Sequence, residues 1–136
     1  MAKEIRQASD TLGIQFLEMP PAESAEFHNR IVEKFKMYKS QTPYWEQFSP
    51  EIAIHDPQGW KKISKFIHEA PVYLYFDEHN ETSVFKFDSP NDLESVLAET
   101  TGFVFYISPI DLEIIVSFND HDMLMLVRLG VSSVSG

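Results

Sequence analysis

Two segments of the sequence set an imidazole among carboxylates. Asp120-His121-Asp122 places one histidine between two acids, and Asp77-Glu78-His79-Asn80-Glu81 surrounds a second with charged or hydrogen-bonding side chains. A metal or catalytic site at His121 needs ligands converging from elsewhere, and His79 with Asp77 is the pair that another hairpin turn could bring. The spacing does not force that meeting. In a strand-turn-strand the acids at 120 and 122 have a second use, accepting Asx-type hydrogen bonds from turn amides while the histidine packs beside them. Contact with a partner protein is a third use of the same turn. His28, His55 and His68 have no acidic or hydroxyl partner at motif spacing, so the sequence assigns them no role.

Other chemistries lack their residues. The chain of 136 residues has no cysteine, which excludes disulfides, thiolate zinc, iron-sulfur ligation and thiol nucleophiles, and fits a reducing cytoplasm. Its five glycines, at 13, 59, 102, 130 and 136, are scattered, so there is no phosphate-cradling loop, and no nucleophile elbow, Walker lysine or His-x-x-x-His pair occurs. Nothing in the sequence calls for a cofactor. The net charge of −10 argues against phosphate-based nucleic-acid binding and against anionic membranes, both of which need clustered cations. That charge lies wholly in one half: residues 1–68 hold nine acids and nine bases, while residues 69–136 hold twelve acids against Lys86 and Arg128 alone. Met1 to Asp10 lacks the apolar core of a secretory signal, and the longest apolar run, Met123 to Val127, is far short of the roughly 20 residues that span a bilayer. A cytoplasmic location is the expectation.

The elements that must position these turns follow from periodicity. Ile5, Ala8 and Leu12 predict a short helix before Gly13, and Ile14 and Phe16 a short edge strand. Ser24 is placed to cap a helix with the stripe Phe27, Ile31, Phe35 and Tyr38. From Ser40 to Gly59, three prolines predict loop with one helical turn near Tyr44 to Phe48, capped by Thr42. Asp56 and Pro57 then open a helix with Trp60, Ile63, Phe66 and Ile67 on one face, ending near Glu69. Beyond Pro71 the period falls to two: 72–77 and 84–88 predict a hairpin, and Ser89-Pro90-Asn91-Asp92 caps a helix bearing Leu93, Val96 and Leu97 that Gly102 ends. Strands at 103–107 and 113–118 are joined by a Ser108-Pro109 turn, and the closing strand starts at Met123. The expected fold is a single α+β domain, helix-rich over about 1–70 and strand-rich over about 71–130, with a frayed tail at 131–136. Its largely antiparallel sheet of about five to six strands carries two to four helices packed mainly on one face. The aromatics Tyr44, Trp45, Phe48, Trp60 and Phe66 divide between core and a surface that the sequence leaves open.

Gly59-Trp60, the strand Val72 to Asp77, the run Glu99-Thr100-Thr101-Gly102-Phe103-Val104-Phe105-Tyr106-Ile107, and Phe118-Asn119-Asp120-His121-Asp122 before an apolar strand together resemble a group of small bacterial proteins. Members of that group are often immunity or antitoxin proteins of polymorphic toxin systems. The resemblance covers about half the chain, and the group's last motif reads Asn-His-His-Asp, where this sequence has Asp120 in place of the first histidine. It implies a non-catalytic protein that binds and neutralises a cognate toxin. A basic nuclease suits the acidic half, since carboxylates can occupy a groove built for phosphates. The expected surface is Asp77, Glu78, Glu81, Asp111, Glu113, Asp120, His121 and Asp122, on turns and strand ends. The competing expectation is a ligand- or metal-binding domain, or an enzyme, using the Asp120-His121-Asp122 turn. Monomer or weak homodimer is the expected state, an exposed edge at Met123 to Val127 being what would pair.

Overall fold

The structure, a computed structural model, describes residues 1–68, 70–100 and 102–129. The elements run α1 (Ala2–Leu12), β1 (Phe16–Glu18), α2 (Pro21–Lys34), a 3₁₀ turn (Tyr44–Gln47), β2 (Ile52–His55), a 3₁₀ turn (Gly59–Lys62) leading into α3 (Ile63–Phe66), β3 (Val72–Tyr75), β4 (Phe85–Phe87), α4 (Pro90–Ala98), β5 (Phe105–Pro109), β6 (Ile114–Phe118) and β7 (Met123–Arg128). They form an α+β fold around one seven-stranded sheet of order β1-β4-β3-β5-β6-β7-β2, antiparallel at every pairing. The predicted hairpin is β3–β4, with Leu74 opposite Phe85, and the closing pair is β6–β7, with Val116 opposite Leu126. No helix among the described residues is long and apolar enough to cross a membrane.

The seventh strand is β2, which falls inside the proline-bracketed stretch expected to be loop. Ile52, Ala53, Ile54 and His55 pair with Leu126, Met125, Leu124 and Met123, so the neighbouring β7 imposes a strand on a segment too short to announce one. Several caps also differ from expectation. Helix α2 starts at Pro21 with Pro20 at the cap position, because a proline at the first helical residue gives up an N–H that would be unpaired anyway. Ser24 therefore lies inside the helix, its hydroxyl donating to the Met19 carbonyl at 3.4 Å. Pro43, not Thr42, precedes the Tyr44 turn. The Ser89 cap is as expected, its Oγ accepting from the Asp92 N–H at 3.1 Å, but α4 stops at Ala98, and Thr100 rather than Gly102 closes it by donating to the Leu97 carbonyl. Ser108 and Pro109 belong to β5, and the chain reverses after them with Leu112 at φ 57°. Tyr38 lies beyond α2 and is exposed. The helix expected to reach Glu69 is a 3₁₀ turn plus one α turn, and Glu69 and the expected tail at 131–136 lie outside the described residues.

Alternation along the strands splits the core in two. One face carries Val72, Leu74, Phe85, Phe87, Phe105, Ile107, Val116 and Leu124, and α1, α3 and α4 cover it with Ile5, Ile63, Leu93 and Val96. Each such side chain contributes about 1.5–3 kcal/mol on burial. The other face carries Tyr75, Tyr106 and Ile115 and is covered by Phe27 and Ile31 of α2 and by Tyr44. Three of the four helices thus share a face, while the opposite face is aromatic and polar.

Candidate functional site

Strand polarity decides which acidic turns meet. β3 and β6 both run antiparallel to β5, so the 77–83 turn and the 119–122 turn emerge at the same end of the sheet. Asp111 and Glu113, between β5 and β6, lie at the opposite end. Asp111 is exposed, with Oδ1 accepting from the Glu113 N–H and its carbonyl accepting from Lys34 Nζ at 2.9 Å.

Asp77 does not belong to an exposed surface, contrary to the sequence expectation. It is 3% exposed, and its carboxylate accepts from the Tyr44 N–H at 2.7 Å and from the Tyr106 hydroxyl at 2.9 and 3.0 Å. Tyr106 Oη in turn accepts from the Trp45 N–H at 3.2 Å, and the Tyr44 hydroxyl meets His28 Nδ1 at 3.0 Å. Burial pushes the Asp77 carboxyl above its usual range, opposed by the bonds from Tyr44 and Tyr106. Burial also raises the Tyr44, Tyr75 and Tyr106 phenols, which keeps their protons at neutral pH, and lowers the His28 imidazole. The network's product is positional: Asp77 and Tyr106 hold the first two amides of the 3₁₀ turn, and thereby set Trp45. The neighbouring acids are also engaged. Glu78 pairs with Lys39 at 3.0 Å, and Glu81 accepts from the Ser83 hydroxyl at 3.0 Å and from the Ala2 N–H at 3.4 Å. His79 is exposed, and among the described residues no metal-ligand group of three His, Asp or Glu side chains joins it to His121.

The 119–122 turn is built differently. Asn119, not Asp120 or Asp122, supplies the Asx bonds: its Oδ1 accepts from the N–H groups of His121 at 2.9 Å and Met123 at 3.1 Å. The Asp122 N–H donates to the Asn119 carbonyl, its carbonyl accepts from the Asp56 N–H at 2.8 Å, and its backbone takes the left-handed conformation at φ 59°. A short polar residue tolerates that conformation because its side chain can bond locally. With the amides satisfied by Asn119, the Asp120 and Asp122 carboxylates make no hydrogen bond to another described residue. The Asp120 and His121 side chains, 69% and 68% exposed, lie 3.7 Å apart.

Two half-buried tryptophans flank this turn, one from each face of the sheet. Trp45 meets the His121 ring edge-on at 5.8 Å. Trp60, on the opposite face, helps line an open groove of about 330 Å³ between the end of α4 and the turn. Phe103, Phe105 and Phe118 give that groove an apolar wall, and Asn119, Asp120 and Asp122 its polar rim. Lys61 places its ammonium 5.2 Å from the Trp60 ring centroid. Gly59 allows the close approach: a Cβ there would stand 2.9 Å from the Phe118 ring. Among the described residues, no three His, Asp or Glu side chains gather as metal ligands would.

No family model, curated protein or solved structure matches the chain. The site must therefore be argued from its own geometry. The residues that sequence reasoning missed are Asn119, whose place at the head of a strand-connecting turn is the signal for Asx bonding, and the partition of Trp45 and Trp60 to either side of that turn. The His28–Tyr44 pair carries no local signal, because 16 residues of sequence separate its members.

Proposed function

We propose that the chain is a non-catalytic cytoplasmic protein of the immunity or antitoxin type, which binds and neutralises a cognate basic toxin domain. The observation that carries this reading is the preorganised turn: Asn119 satisfies amides of the turn, leaving an exposed Asp120 and a half-buried Asp122 without a hydrogen bond to another described residue, between two half-buried tryptophans. Aromatic anchors beside an acidic rim supply what a protein interface needs, buried area at the centre and charge for steering. The net charge of −10 extends that field. A basic nuclease fits best, because carboxylates at its groove replace the phosphates it would otherwise bind. Glu78 and Glu81, engaged within the fold, contribute field rather than direct contacts, and Asp111 and Glu113 at the far end make none.

The test is capture followed by function. The tagged protein should retain one basic chain from lysate of its source at low salt and release it at high salt. That chain should arrest growth when expressed alone in a heterologous host, and co-expression of this protein should restore growth. A retained chain that is not toxic, or toxicity unaffected by co-expression, contradicts the reading.

A further inference from the structure

We infer that the groove beside Trp60 is a subsite for one arginine side chain of the partner, with the peptide carbonyl next to it. This rests on the docking role proposed above and names what that surface recognises. The groove's size of about 330 Å³ is at the lower end of small-molecule sites and suits one long side chain with a short piece of backbone. Its chemistry is divided as an arginine is divided. Trp60, Phe103 and Phe118 offer apolar surface to the methylene stem, while Asp120 and Asp122 stand at the rim where the guanidinium would emerge. A planar fork of five N–H donors can bond two carboxylates at once, which a single ammonium does less well. Lys61 places its ammonium 5.2 Å from the Trp60 ring centroid, so this indole can stand against a cation, and an incoming guanidinium must share or displace that place.

Asn119 adds an independent requirement. Its two backbone bonds fix the amide with Oδ1 toward the turn, so Nδ2 is the free end, and Nδ2 is buried without a hydrogen-bond partner although Asn119 is only 2% exposed. A buried donor without an acceptor is unfavourable. Asn119 lines the groove, so a peptide carbonyl seated beside it is the acceptor that Nδ2 lacks, reached once the groove wall yields to expose that atom.

The experiment is a ¹H–¹⁵N NMR titration of the full chain with acetyl-Gly-Arg-Gly-amide and with the same peptide carrying citrulline, the neutral isostere. The arginine peptide should shift the Trp60 indole resonance and the amides of residues 118–122, with affinity at least about tenfold above the citrulline peptide, a difference of about 1.4 kcal/mol. The Asp120→Asn/Asp122→Asn double variant should erase that difference; asparagine accepts the left-handed backbone at 122, so the fold is kept. Equal shifts from both peptides, no shift at Trp60, or an undiminished preference in the double variant overturns the subsite. Such a failure leaves the capture test above standing, whereas arginine binding without any toxic partner would keep the subsite and remove the immunity role.

Discussion

Two turns of this molecule are written in nearly the same letters and have opposite fates. Asp77-Glu78-His79 and Asp120-His121-Asp122 both follow a strand, and both leave at the same end of the sheet. In the first, the aspartate turns inward and is consumed by Tyr44 and Tyr106, and Glu78 and Glu81 are tied to Lys39, Ser83 and the first helix. In the second, Asn119 does the inward work, and neither aspartate carboxylate is hydrogen-bonded to another described residue. What separates structural from available carboxylates is whether donors of the fold reach them, as Tyr44 and Tyr106 reach Asp77 while Asn119 takes the amides of the second turn, not how many acids the turn contains. The two are also linked, because the buried Asp77 fixes the Tyr44–Gln47 turn that brings Trp45 against His121.

Truncation sharpens this contrast most. Asp77→Ala strips the acceptor from a buried amide and a buried hydroxyl, each worth about 1–3 kcal/mol, so it should destabilise the protein by about 3 kcal/mol or more. Asp120→Ala should stay within about 0.5 kcal/mol of wild type in the same urea titration. Equal losses would dissolve the distinction. Gly59→Ala comes next: the added methyl meets the Phe118 ring at 2.9 Å, and that ring is already packed on Phe105, so overpacking should cost about 1–3 kcal/mol. Its fluorescence should report a change at Trp60, since the groove wall must give.

The pH dependence of stability is a smaller effect with a defined sign. His28 has a lowered folded-state value, so its contribution is complete above the unfolded value of about 6.5 and is lost as pH falls below it. Asp77 has a raised value, so its contribution runs the other way, falling as pH rises above the unfolded carboxylate value of about 3.9. His28→Gln should flatten the acid-side loss between pH 7 and pH 5, and Asp77→Asn should instead remove the decline on raising pH from 4. Denaturation midpoints across that range check both, and a wild-type profile in either variant places the titration elsewhere.

The hairpin from Val72 to Phe87, the Ser89 cap and the closing strand at Met123 were legible because each is local: a period of two, a cap three residues from its amide, or an apolar run after a polar turn. β2 was not, since Ile52 and Ile54 become a strand only by pairing with Leu126 and Leu124, 70 or more residues away in sequence. Burial of Asp77 was hidden for the same reason, its partners Tyr44 and Tyr106 lying 33 and 29 residues off. The acidic turn was legible as a candidate, but the assignment of its hydrogen bonds to Asn119 depends on backbone conformation rather than residue type, and its flanking tryptophans arrive from remote segments on opposite faces.

The central claim, that a basic partner docks on the 119–122 turn rather than on acidic charge in general, is tested most directly by pairing charge changes at the two ends of the sheet. The capture from lysate would be repeated with Asp120→Lys/Asp122→Asn and, separately, with Asp111→Lys/Glu113→Lys. The account predicts that the first loses the basic chain at low salt while the second retains it as wild type does. Equal retention by both, or loss from the Asp111/Glu113 variant alone, would contradict it.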